Sequence, residues 1–234
     1  MLLYPAQTRE YKDFGFMRAH LSFKPHLAAG RQSFGSLITI DDAILKPGAT
    51  GFGFHQHKNV EVVTFVIQGE VKHIDPNEEQ HSGTLKAKGV QIITAGTGIT
   101  HNEENHSAEE ELHVLQIWFK PRQPGLNPNY AKKSLNRFDY IDQLLCILSP
   151  DGLDGSLVMQ QDAYVYYCLA TSPNPLTYTA KSETRRTFIY LIAGDILINA
   201  EKLTKGDGCG LIGYRNIELT TSTDAEFLLF DLKD

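Results

Sequence analysis

Apolar positions along this chain cluster in short runs of β-branched and aromatic residues, each bounded by glycine, proline, asparagine or aspartate. The runs "FGSLITI", "VEVVTFVIQG", "VQIIT", "LHVLQIWF", "YVYYCLA", "TFIYLIAG", "DILIN" and "AEFLLFDL" follow one another with turn signals between them. Strand-forming residues at that spacing predict an all-β sandwich or barrel. Long segments of helical period are missing. The two best helix candidates are short, at "NPNYAKKSL" (127–135) and "FDYIDQLL" (138–145).

The pattern also repeats. "FVIQGEVKHI" (65–74) resembles "YLIAGDILIN" (190–199), and "LKAKG" (85–89) resembles "LTKG" (203–206). Each copy reads as strand, glycine turn, strand, then a Leu-x-Lys-Gly-type segment before another strand. A duplicated β-barrel explains this most simply. A linker is expected in "KPRQPGLNPNY" (120–130), where three prolines and a glycine interrupt the strands. The expected domains are therefore 1–130 and 131–234.

Composition adds bounds. Hydrophobic residues make up 41% and charged residues 21% of 234, as in an ordinary water-facing globular protein. The net charge of −6 and the lack of any basic cluster beyond Lys132-Lys133 and Arg185-Arg186 argue against nucleic acid as a partner. No apolar stretch is long enough to span a membrane. The opening "MLLYPAQTREYKDFG" lacks a cationic segment before an apolar one, so a cytoplasmic location is expected. Cys146, Cys168 and Cys209 are far apart and each sits in or beside an apolar segment, which predicts reduced core thiols.

The candidate chemistry lies in histidine. In "HQHKNVE" (55–61), His55 and His57 share one face of a strand, and Glu61 shares that parity if the strand continues unbroken. In "TAGTGITHNEEN" (94–105), His101 and Glu103 repeat the spacing. A single HxH at a strand edge is more often solvated than ligating. Two such pairs on neighbouring strands could instead aim three imidazoles and a carboxylate at one point. Nitrogen and oxygen donors without thiolate suit Fe(II), Mn(II), Ni(II), Cu(II) or Zn(II). All nine histidines fall between His20 and His113. Aligning the repeats sets Ala180, Ser182 and Arg186 opposite His55, His57 and Glu61, so one barrel is expected to bind a metal and the other none. His73, His81 and His106 read as surface or turn residues, and His113 as a partnered core histidine. Core packing is the default reading of Phe52, Phe54 and Trp118.

"GFGFHQHKNVEVVTFVIQGEVKH", "GVQIITAGTGITHNEEN" and "LHVLQIWF", with "LSPDGLDGSL" and "SETRRTFIYLIAGDILIN" further on, resemble the pirin family of bicupins. The likeness is strongest to its bacterial members described as quercetin 2,3-dioxygenases. It implies two consecutive cupin barrels, the metal-binding one first. It implies one divalent transition metal per chain, Fe(II) foremost, with Mn, Ni, Cu or Zn as alternatives. Carried over residue by residue, the ligands are His55, His57, His101 and Glu103. Most cupins draw their carboxylate from the first motif, here Glu61; following the pirin pattern, Glu61 is expected beside the ligands and not on the metal. His20, in "AHLSF", resembles a bacterial pirin segment that would line or brace the site. Gln56 stands where the family most often has proline, on the face away from the metal. The implied reaction is metal-dependent cleavage of quercetin-like flavonols by O2 with release of carbon monoxide, Glu103 acting as base. The rival implication is a metal-containing regulator or redox sensor that acts through protein partners.

Overall fold

The computed structural model describes residues 1–171, 173 and 175–233. The described residues form short strands, antiparallel except where Leu145–Ser149 pairs with Leu157–Val158, joined by turns, with brief 3-10 segments and no α-helix. No helix among them is long and apolar enough to cross a membrane.

The chain divides into two compact units. One comprises Glu10–Leu135 with Met159–Gln161; the other comprises Met1–Arg9, Asn136–Val158 and Asp162–Asp234. Each unit is discontinuous, whereas the sequence reading draws a single cut after residue 130. The strand Leu2–Tyr4 pairs with Gly208–Ile212 of the second unit. The strand Asn129–Ser134 pairs with Gly89–Thr94 of the first. That last strand corrects one helix expectation: "NPNYAKKSL" is an edge strand. "FDYIDQLL" likewise yields a 3-10 turn at Arg137–Asp139 and a strand from Leu145. In the first stretch edge pairing with Gly89–Thr94 overrides local helix propensity; in the second, Leu145–Ser149 is drawn between Leu157–Val158 and Ala163–Ala170.

Each unit holds a seven-stranded and a four-stranded sheet. In the first unit the large sheet runs, from edge to edge, Asn129–Ser134, Gly89–Thr94, Glu61–Gln68, Leu112–Phe119, Leu37–Leu45, Met17–Ser22 and Glu10–Asp13. Its small sheet runs His55–His57, Ile99–Asn105, Glu70–Ile74 and Gly83–Lys86. The second unit repeats this plan with Arg186–Ala193 in the place of Glu61–Gln68 and Asp195–Ile198 in the place of Glu70–Ile74. These are two cupin barrels.

The repeated turn has one physical cause. Gly69 and Gly194 both adopt positive φ (84° and 77°), and a Cβ on either would meet a backbone carbonyl oxygen, that of Glu111 at 2.8 Å or Asp224 at 1.9 Å. Each of those carbonyls lies just before the strand that packs on the turn, Leu112–Phe119 or Ala225–Leu232. Only glycine fits the conformation and the approach.

The strands read as apolar on both faces where they are central. In Glu61–Gln68 the first six residues are buried. The second unit's core gathers Ile189, Leu191, Phe227 and Leu229 with all three cysteines, which are free and buried. Burial pushes the Cys146 thiol up to about 11, so it stays protonated. The first unit's interior splits into two smaller apolar clusters, around Val66–Leu112–Val114 and around Val62–Ile93–Ile99. Thr64, His73, Gln91 and His101 are buried polar side chains of the same unit.

Candidate metal centre

Cross-strand register assembles the site. His55–His57 pairs antiparallel with Ile99–Asn105 so that His101 stands opposite His55 and Ile99 opposite His57. On the other side of the same strand, Glu103 stands opposite His73. Alternation along the strand sends His101 and Glu103 to the barrel interior. Asn102, between them, bonds the Thr50 carbonyl instead.

The structure brings His55, His57 and His101 together. One ring nitrogen from each lies within 4.8 Å of the others. The ring centroids are 4.6 Å (His55–His101), 4.9 Å (His55–His57) and 4.9 Å (His57–His101) apart. Hydrogen bonding fixes the nitrogen that His55 presents and occupies one nitrogen of His101. His55 Nδ1 donates to the Gly53 carbonyl at 2.8 Å, which leaves Nε2 with its lone pair. His101 Nδ1 meets His73 Nε2 at 2.9 Å, and His101 Nε2 is buried without a partner. An orphaned imidazole nitrogen beside two more imidazoles is a donor set that could hold a divalent metal.

Electrostatics agree. Burial, reinforced by the neighbouring histidines, lowers the His101 pKa to about 2; burial and then His55 lower that of His57 to about 4. Both rings stay neutral near pH 7, as metal coordination requires.

Glu103 lines the same cavity and is held by three donors. Thr64 Oγ1 donates at 2.7 Å and Gln91 Nε2 at 2.6 Å to Oε1, while Gln116 Nε2 donates to Oε2. These donors form a row across the large sheet: Gln91 pairs with Thr64, Thr64 with Gln116, and Gln116 with Asp41. Burial raises the Glu103 pKa, and the donors and His55 oppose that rise.

Two expected neighbours stand elsewhere. His20 is exposed and its ring packs on Tyr11 at 5.3 Å. Strand alternation turns Ala19 and Leu21 to the cavity and His20 outward. Glu61 is fully buried but does not line the cavity. It accepts the backbone N–H of Gln160 at 2.7 Å and of Gln161 at 2.8 Å. The parity that joined Glu61 to the histidines fails because the strand breaks at Asn59, whose φ is 52°, and a different sheet begins at Glu61.

His73 corrects the surface reading in the opposite sense. It is 0% exposed, stacks on Tyr130 (centroids 4.7 Å apart, 29° between planes) and bonds His101. Tyr130 in turn donates to Gln91 Oε1 at 3.0 Å, and Gln91 donates to Glu103. A closed circuit therefore braces His101 and Glu103 together. Its signal in the sequence is the strand "EVKHI", where His73 shares the inward parity of Val71. His113 bonds Asp42 at 2.6 Å, a partnered histidine as expected.

The cavity measures about 220 Å³. Phe52 and Trp118 line it; Trp118 also packs on the Val62–Ile93–Ile99 core cluster, as the core reading expects, whereas Phe52 is 59% exposed and no core residue. Phe14 and Phe16 meet Phe52 edge-on at 5.2 and 5.0 Å, and Trp118 meets His57 edge-on at 5.0 Å. Phe54 is exposed and does not line the cavity.

Two cupin barrels, one carrying a histidine-rich site suited to a divalent metal, define a bicupin. Residues 5–119 match the pirin family, and residues 146–232 match the quercetinase C-terminal cupin domain. The chain belongs to the pirin family. It is 35% identical over 231 residues to quercetin 2,3-dioxygenase of Escherichia coli strain K12, covering 97% of this chain and 96% of that one. It is 29% identical to a pirin-like protein of Caulobacter vibrioides, covering 94% of each. The structure of the bacterial pirin YhhW from Escherichia coli in complex with nickel(II) matches with a TM-score of 0.91 at 32% identity, covering 99% of this chain and 98% of that one.

Proposed function

We propose that the chain is a metal-dependent dioxygenase that opens quercetin-like flavonols with O2 and releases carbon monoxide. The observation that carries this reading is the grouping of His55, His57 and His101 beside an aromatic-walled cavity that His55, His57 and the donor-held Glu103 line. The name of the Escherichia coli relative and the nickel(II) complex of YhhW support it. His55, His57, His101 and Glu103 would hold one divalent metal per chain, with Fe(II) the first candidate. When bound, the metal supplies Lewis acidity toward the flavonol's 3-hydroxyl oxygen.

The chain's own residues do the rest. The aromatic wall of Phe14, Phe16, Phe52 and Trp118 binds the flat rings and displaces water. Glu103 receives the 3-hydroxyl proton. Burial raises its pKa above the ordinary carboxylate value, which strengthens it as a base. Protonation requires one donor to yield, and Thr64 is built for that. Its hydroxyl has a second acceptor, Gln116 Oε1, at 3.3 Å, so it can turn away from Glu103. One flavonol and one O2 then give the ring-opened ester and one carbon monoxide.

The test is to load the protein anaerobically with Fe(II) or Ni(II), add quercetin and O2, and measure carbon monoxide. Metal-dependent turnover is expected. Metal-replete protein that releases none would refute the enzyme reading and favour a regulator.

A further inference from the structure

Apart from the histidines and the Glu103 network, one charged pair faces the cavity. Lys24 Nζ donates to Asp41 Oδ2 at 2.8 Å, and each side chain is 18% exposed. Asp41 completes the polar row of the large sheet, since it pairs across from Gln116. Gln91, Thr64 and Gln116 all spend donors on Glu103. Asp41 does not; its Oδ1 is buried without a hydrogen-bond partner. Placing an ion pair against an apolar, aromatic wall costs desolvation energy that a single short contact does not recover. The pair therefore needs a further partner.

Trp118 locates it. The Trp118 indole stands 5.0 Å from the His57 ring and 5.9 Å from Lys24 Nζ, so one indole spans the interval between the histidines and the pair. Strand spacing places Asp41 two strands, about 10 Å, from Thr64 beneath Glu103. A multi-ring aromatic lying along Trp118 reaches both ends. An anion at the far end would be repelled by Asp41 and a cation by Lys24. A hydroxyl satisfies both, because it donates to the carboxylate and accepts from the ammonium.

We propose that Lys24 and Asp41 form the polar anchor that reads a hydroxyl on the far end of the ligand, making a ring-hydroxylated flavonol the preferred substrate over the bare 3-hydroxyflavone. This rests on the flavonol reading of the site. Asp41, raised to about 6 chiefly by burial, is still ionised at neutral pH and able to accept.

The experiment measures equilibrium binding of quercetin and of 3-hydroxyflavone to Ni(II)-loaded protein without O2. Quercetin is expected to bind at least about tenfold more tightly, the scale of a hydrogen bond to a charged group. In the double variant Lys24→Met, Asp41→Ala, which removes both charges at once, the preference should fall below about threefold while 3-hydroxyflavone affinity and metal content hold. Asp41→Asn, which keeps the shape, should weaken quercetin alone. Equal affinities in the parent protein, or a preference that survives in the variants, would overturn the anchor and leave the flavonol site standing. If neither flavonol binds the parent protein, the reading of the cavity falls, and the anchor with it.

Discussion

His73→Phe should weaken metal binding although His73 is no ligand. The ring of phenylalanine fills the same space and keeps the stack on Tyr130. If His101 Nε2 ligates a metal, Nδ1 carries the ring's proton, and the substitution removes the His73 Nε2 that would accept it. His73 is 0% and His101 1% exposed, so water cannot replace that acceptor. The His101 ring is then left either with an unpartnered buried N–H or rotated to find one, and its Nε2 loses its aim. Partners of this kind are worth about 10- to 100-fold in metal affinity, or about 1.4 to 2.7 kcal/mol. The assay is competition for Ni(II) or Zn(II) against a chelator of known affinity, on folded parent and variant at the same pH. His73→Gln, whose amide oxygen can accept, should recover part of the loss. An unchanged metal affinity in His73→Phe would show that the hydrogen bond does not position His101.

Two further outcomes follow from the same geometry. Glu103→Gln keeps a neutral oxygen donor but removes the basicity, so metal binding should weaken without vanishing while flavonol turnover falls by roughly 10² to 10⁴; near-parent turnover in the metal-loaded variant would exclude Glu103 as base. His101→Ala should differ by losing metal and turnover together. The second outcome concerns pH. His101 is held at about 2, below its ordinary 6.5, so the unfolded chain takes up a proton there below pH 6.5 and the folded chain does not. The metal-free protein should therefore lose stability from this group as pH falls, approaching about 1.4 kcal/mol per pH unit. His101→Asn should remove that slope, and urea unfolding between about pH 5 and 7 checks it; a stability difference independent of pH would contradict the buried neutral ring.

Much of this architecture is legible in the sequence because strand chemistry is local. β-branched runs and glycine turns mark the strands, and the turns at Gly69 and Gly194 mark the repeat because their backbone geometry tolerates no other residue. Two HxH and HxE pairs suggest the ligand group because a strand's period is fixed. The failures have one source, which is that parity holds only while a strand is continuous. Asn59 interrupts it and sends Glu61 into a different sheet. His73 was hidden by its setting, since polar neighbours and a nearby turn mask a residue whose partners arrive from Ile99–Asn105 and Asn129–Ser134. Tyr130 was illegible for the same reason. It lies beyond a proline-rich stretch, and only sheet pairing brings it back beneath the site.

The two backbone donors that Glu61 accepts come from residues about a hundred positions later, supplied by the Met159–Gln161 segment that belongs to the first unit. During synthesis, every candidate ligand emerges by Glu103, yet the Glu61 carboxylate has no backbone partners until Gln161 leaves the ribosome. A nascent or truncated chain ending near Leu135 would hold a complete histidine set around an unmet buried carboxylate, whose desolvation only Thr94, at 3.3 Å, would offset. Three residues encoded far downstream thus supply the backbone donors that a buried carboxylate of the first unit requires.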